Sequence, residues 1–192
     1  MRRNDLFDDR KPMVRDPRPE GRRRRLALAL AAALVTSMWP VSLDAQAPAA
    51  AAKDPLAPLD RFLGAWAGPG TLQGSKARLE LRFERALGNR FIRIQHHNRV
   101  ETPRGEMLFE GLSIYRAKDA GFAATWYDSF GHVYPVTASL EGDALRAEWG
   151  TPETELGLTV YRLTAPGTLE VTDSVKRQGA FQEFGKATLQ KQ

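Results

Sequence analysis

The stretch "ARLELRFERALGNRFIRIQHHNRV", Ala77 to Val100, decides the architecture. Leu79, Leu81 and Phe83 fall on one side of an extended chain, and Arg78, Glu80, Arg82 and Glu84 on the other. That is the period of two expected of a half-buried strand, with a solvated outer face of interleaved charge. After Leu87, the pair Gly88-Asn89 separates this run from a second one, "RFIRIQHHNRV", and such a two-residue glycine link predicts a tight hairpin.

The rhythm continues outward in both directions. Upstream lies "AWAGPGTL". Downstream come "EMLFEGLSIYR", "FAATWYDS", "HVYPVTASL", "ALRAEWG", "TELGLTVYRLT", "TLEVTDSVK" and "AFQEFGKATLQ", parted by short turn sequences such as "TPRG", "EGD", "APG" and "RQG". These make ten strands, each of about 7 to 11 residues. Links this short require antiparallel neighbours, because a parallel crossover needs a dozen or more residues. A single open sheet of ten strands would leave an apolar face and two edges unprotected, so closure into a barrel is expected. About eight strands already enclose room for one ligand, and ten leave an interior to be filled either by side chains or by a guest.

"LGAWAGPGTL", Leu63 to Leu72, carries little side chain for a first strand. Gly64, Gly68 and Gly70 would let it bend or come close to another chain, and Pro69 cannot donate to a ladder. "LDRFLG", Leu59 to Gly64, predicts one helical turn before it, with Trp66 plugging the barrel end against Phe62 and Leu63.

The remainder of the chain is different in kind. "GRRRRLALALAAALVTSMWPVSLDAQA" runs from arginines through an apolar stretch of about 14 residues to Ala45-Gln46-Ala47, the pattern of a secretory leader and too short for a spanning helix of about 20. Residues 1–47 thus read as leader, 48–58 ("APAAAAKDPLAP" and its surroundings) as linker, and 59–190 as barrel. A periplasmic or secreted protein, with no stable membrane anchor once the leader is cleaved, is the expectation. Residues 1–47 hold ten Lys/Arg against six Asp/Glu, and residues 48–192 hold eighteen against seventeen. The basicity therefore belongs to the leader, and nucleic-acid binding is not expected of the folded part. The sequence has no cysteine, which excludes a thiol nucleophile, a thiolate metal site and a lipoprotein anchor.

"GAWAGPG", Gly64 to Gly70, resembles the Gly-x-Trp-x-Gly-x-Gly signature of nitrobindin-like proteins in the calycin group of barrels, which includes lipocalins and fatty-acid-binding proteins. "FEGLSIYR" (109–116) and "ATWYDSFG" (124–131) are more similar to a related, often exported bacterial family of unknown function with calycin-like barrels. The first resemblance implies haem bound through a histidine near the chain's end, with nitric oxide binding or peroxynitrite isomerisation. The sequence departs from that pattern, since nothing after His132 is histidine, and no haem or other cofactor is expected.

The candidate site residues come from inner faces. His96 shares a face with Ile92, Ile94 and Asn98, while His97 points the other way. Trp126 and Asp128 share a face with Phe122, Ala124 and Phe130; Leu145, Ala147 and Trp149 form another inner face, as do Tyr134, Val136, Ala138 and Leu140. An inward Asp128 would either pair with an arginine such as Arg93 or Arg162, or bond backbone amides where the chain turns at Ser129. His132, beside Gly131, reads as structural. The ligand-binding candidates are Trp66, Trp126 and Trp149 as packing walls, with His96, Asn98 and Asp128 as polar groups. No nucleophile elbow, phosphate loop or catalytic constellation occurs. The expected function is binding of a small hydrophobic or amphipathic molecule in the interior; a haem enzyme, or a filled structural or protein-binding barrel, are the alternatives.

Overall fold

The computed structural model describes residues 53–192. The expected leader (1–47) and the first part of the linker (48–52) lie outside the described residues. Ten strands follow one another: β1 (Gly64–Leu72), β2 (Ser75–Ala86), β3 (Phe91–Thr102), β4 (Gly105–Lys118), β5 (Gly121–Asp128), β6 (Val133–Glu141), β7 (Ala144–Trp149), β8 (Gly157–Ala165), β9 (Thr168–Arg177) and β10 (Ala180–Lys191). Each pairs antiparallel with its sequence neighbour, and β1 also pairs antiparallel with β10, so the meander closes into a barrel as expected.

Alternation places the core. On β2, Leu79, Leu81 and Phe83 are buried, while the outward charges pair along the strand, Arg78 with Glu80 and Arg82 with Glu84. These exposed pairs contribute little to stability, but they keep the outer wall of β2 polar, opposite to the apolar-out wall of a barrel facing lipid.

The β2–β3 link corrects the two-residue expectation. It runs from Leu87 to Arg90, because the last cross-strand pair is Ala86 with Phe91. Leu87, Gly88 and Asn89 all take positive φ (49°, 66° and 63°), and the Arg90 amide donates to the Leu87 carbonyl at 3.4 Å. Leu87 has no partner across the hairpin and is left in solvent.

The opening stretch finds its explanation at the seam. The β1–β10 ladder pairs Trp66 with Lys191 and Ala67 with Gln190, skips Gly68 and Pro69, and resumes in the same register at Gly70 with Ala187. On the other side the β1–β2 ladder runs unbroken through Pro69 and Arg78. A Cβ on Gly70 would stand 2.5 Å from the Lys186 carbonyl oxygen and 2.6 Å from Ala187 Cβ. These glycines thus let the last strand of the sheet reach the first.

One end of the barrel is shut. A 3-10 helix, Ala57–Phe62, lies across it, with Leu59 and Phe62 buried. Leu56 is only 3% exposed, so the chain packs on the barrel before residue 59, where the expected linker should still have been running. Charges hold the helix in place: Arg85 on β2 reaches both Asp54 (2.8 Å) and Asp60 (2.6 Å), and Arg61 meets Asp143 of the β6–β7 turn at 2.9 Å. Trp66 donates its Nε1–H to the Phe62 carbonyl at 2.8 Å, and Lys191 Nζ sits 5.3 Å from its ring. Trp66→Phe removes that donor and leaves a buried carbonyl unpaired, so a loss of about 1–2 kcal/mol is expected in denaturant unfolding.

Candidate ligand-binding site

The other end of the barrel is hollow. A cavity of about 500 Å³ opens between the β1–β2, β3–β4, β5–β6 and β7–β8 turns. The interior is therefore filled in its closed half and open in the other, which divides the two expectations of a full or an empty barrel by height.

An aromatic column joins the plug to the cavity floor. Phe62 stacks on Phe83 (ring centres 5.9 Å apart), and Phe83 meets Tyr161 edge-on at 5.4 Å. Tyr161 on β8 then shares a hydrogen bond with His96 on β3, Oη to Nε2 at 2.9 Å, directly across the barrel. His96 also stands edge-on to Trp126 at 5.0 Å. Burial, with a smaller contribution from His97, drives the His96 imidazole down from its ordinary value to about 3, so it is neutral in solution at ordinary pH. Burial pushes the Tyr161 and Tyr115 hydroxyls upward, so both remain protonated.

The two tryptophan walls are seated on glycines. A Cβ on Gly111 of β4 would fall within the Trp126 indole, and one on Gly157 of β8 within the Trp149 indole. Gly157 and Trp149 are direct cross-strand partners. A large ring laid over a strand glycine covers the backbone that glycine exposes. Trp149 Nε1–H donates to Thr159 Oγ1 at 3.2 Å, and the Thr159 hydroxyl donates to Asp173 Oδ1 at 2.7 Å. Asp173 stands half-buried on the inner face of β9, and loss of hydration there, partly offset by the Thr159 hydrogen bond, raises its carboxyl to about 6.

Asp128 takes the second of its two expected roles. Its carboxylate accepts from the amides of Phe130 (3.0 Å) and His132 (3.1 Å), and from Trp126 Nε1 at 3.3 Å. The His132 Nδ1 lies 3.1 Å away. Burial pulls this carboxyl up, but the hydrogen bonds prevail and hold it below the usual range. Neither expected arginine reaches it: Arg93 pairs with Glu84 instead, and Arg162 is exposed.

His96, Asn98, Trp126, Asp128 and Trp149 all line the one cavity. Trp66 does not; it is buried at the closed end under the 3-10 helix. His97 faces outward and pairs with Glu110 at 3.1 Å. Sequence reasoning passed over Tyr161, Thr159 and Asp173, although the alternation Leu169, Val171, Asp173, Val175 on β9 already puts one carboxylate on an apolar inner face. Among the described residues, no three His, Cys, Asp or Glu side chains gather to hold a metal ion.

No family model matches the chain, and no curated protein matches it. Among solved structures, the chain is similar to the structure of EF1p2_mFAP2b bound to DFHBI, with 13% identity, 70% of this chain and 96% of that one covered, and a TM-score of 0.42. It is also similar to a de novo designed fluorescence-activating β-barrel, with 13% identity, 69% of this chain and 94% of that one covered, and a TM-score of 0.34.

Proposed function

We propose that this chain is an exported, calycin-like barrel that binds a small, partly apolar molecule in the open half of its interior. The observation that carries the reading is the cavity of about 500 Å³, within the range of small-molecule sites, walled by tryptophans and floored by the His96–Tyr161 bond. Its walls are built to stay open: Gly111 and Gly157 hold the indoles flat against the sheet, and hydrogen bonds from Trp126 to Asp128 and from Trp149 to Thr159 fix both rings by their Nε1 atoms. Preorganised aromatic surface of this kind binds without first paying to order itself. Export rests on the leader pattern of residues 1–47, and the Gly64–Gly70 motif at the seam supports the calycin-like assignment. The proposal includes no haem. His96 shares its Nε2 with Tyr161, and His132 lies with its Nδ1 against Asp128, so both cavity histidines are engaged within the protein.

Native mass spectrometry of the protein taken from its own host tests both parts. The expected spectrum shows a mature chain starting at Pro48 and carrying a small adduct, which is lost in Trp126→Ala. Repeated recovery of ligand-free protein with the wild-type sequence would count for a barrel that works without a guest, and a mature chain retaining residues 1–47 would remove export.

A further inference from the structure

Resting on the binding reading above, we propose that the ligand is an organic cation, a protonated amine on an aromatic or apolar body, whose nitrogen is received by Asp173 and Asn98. Three carboxylates line the cavity, Asp128, Glu155 and Asp173, and no Lys or Arg is among the described residues that do. Of the three, Asp128 is occupied by the turn it organises, and Glu155 is ion-paired with Arg177 at 2.7 Å. Asp173 is not: among the described residues, its one hydrogen bond comes from Thr159 to Oδ1. A half-buried carboxylate inside a barrel without a counterion is costly to keep, and a bound cation offsets that cost.

Asn98 points to the same chemistry independently. It is 3% exposed, lines the cavity, and its Oδ1 has no hydrogen-bond partner. An unpaired buried acceptor calls for a donor, and an ammonium supplies up to three. The positions agree along the barrel. His96 and Tyr161 face each other across the floor; Asn98 and Thr159 are each two residues nearer the mouth, and Thr159 pairs with Asp173. The acceptors thus stand in the layer directly above the floor. The surrounding wall is aromatic, including Trp126, Trp149 and Tyr134, and ring faces attract cations while offering nothing to an anion.

Three fluorescent probes of one body separate the outcomes: dansylcadaverine (cationic), dansylamide (neutral) and dansylglycine (anionic). At pH 7.5, a choice of condition above the Asp173 titration, the cation is expected to bind about tenfold or more tighter than the neutral probe, and the anion more weakly than either. In Asp173→Asn the cation-to-neutral ratio is expected to fall to about one, and in Asn98→Leu to fall by about threefold or more. The wild type provides the same test without a variant: the ratio should fall as pH drops through about 6, where Asp173 gains its proton. The groups facing Asp173 in that experiment are Thr159 and Tyr161 on β8, with Asp128, Glu155 and His132 nearer the mouth and His96 across the floor. Equal binding of cationic and neutral probes at every pH would overturn the cation assignment and leave the binding reading standing. Failure of all three probes to bind would count against the binding reading itself.

Discussion

Gly68→Ala is expected to destabilise the barrel by about 3 kcal/mol or more, although it adds one methyl group and asks for no unusual backbone angle. The added Cβ would stand within contact distance of the Thr188 carbonyl oxygen and 3.0 Å from Leu189 Cα, both backbone atoms of β10. A side chain could swing away; a strand backbone held by its own ladder to β9 cannot. The seam would have to open, and it is already interrupted where the ladder skips Gly68 and Pro69. Gly74→Ala is the control. Gly74 lies in the β1–β2 turn at φ +78° with nothing within 4 Å of where a methyl carbon would stand, so its cost is the left-handed backbone alone, about 1–2 kcal/mol. Denaturant midpoints of the two variants separate close approach from backbone conformation. Equal losses would mean that β1 and β10 are not pressed together as described.

The second large effect is electrostatic and is hidden by a near-cancellation. His96, held at about 3, binds a proton less readily in the folded chain than in the unfolded one, so its contribution to stability is lost as pH falls below 6.5. Asp173, raised to about 6, does the opposite: the folded state holds its proton more tightly, so stability is gained as pH falls through 6 toward 3.8. Between pH 6.5 and about 4.5 each group moves the balance by about 2 kcal/mol, in opposite directions. The wild type should therefore change little over that range. Asp173→Asn should uncover an acid loss of about 2 kcal/mol, and His96→Gln an acid gain of similar size, both read from urea unfolding at each pH. At pH 7.5, a condition well above both titrations, Asp173→Asn should be more stable than the wild type by about 2 kcal/mol, as expected when a half-buried carboxylate without a counterion is kept for binding. Parallel pH profiles for the three proteins would show that neither group is buried in the state described.

Much of the site was legible in part only. The alternation on β3 put His96 and Asn98 inside, and that on β5 put Trp126 and Asp128 inside, as the structure has them. The same alternation on β9 marked Asp173, but a lone carboxylate in a strand gives no sign of how deep it will lie. Trp66 shows the converse: the barrel's tryptophans all face inward, yet one is under the plug while two stand at the cavity.

The sequence by itself determined the strand count, the antiparallel order and the inward set, because a two-residue period and short links are local properties of the chain. Height along the barrel was decided only in three dimensions. It depends on the stagger of each pair and on the closure of β1 against β10, contacts between segments that lie far apart in sequence. The His96–Tyr161 floor spans 65 residues, and Gly111 and Gly157 gain their purpose only when an indole from a neighbouring strand is laid over them. A one-dimensional pattern tells which side a residue takes, and the tertiary packing then settles whether that side is core, floor or open cavity.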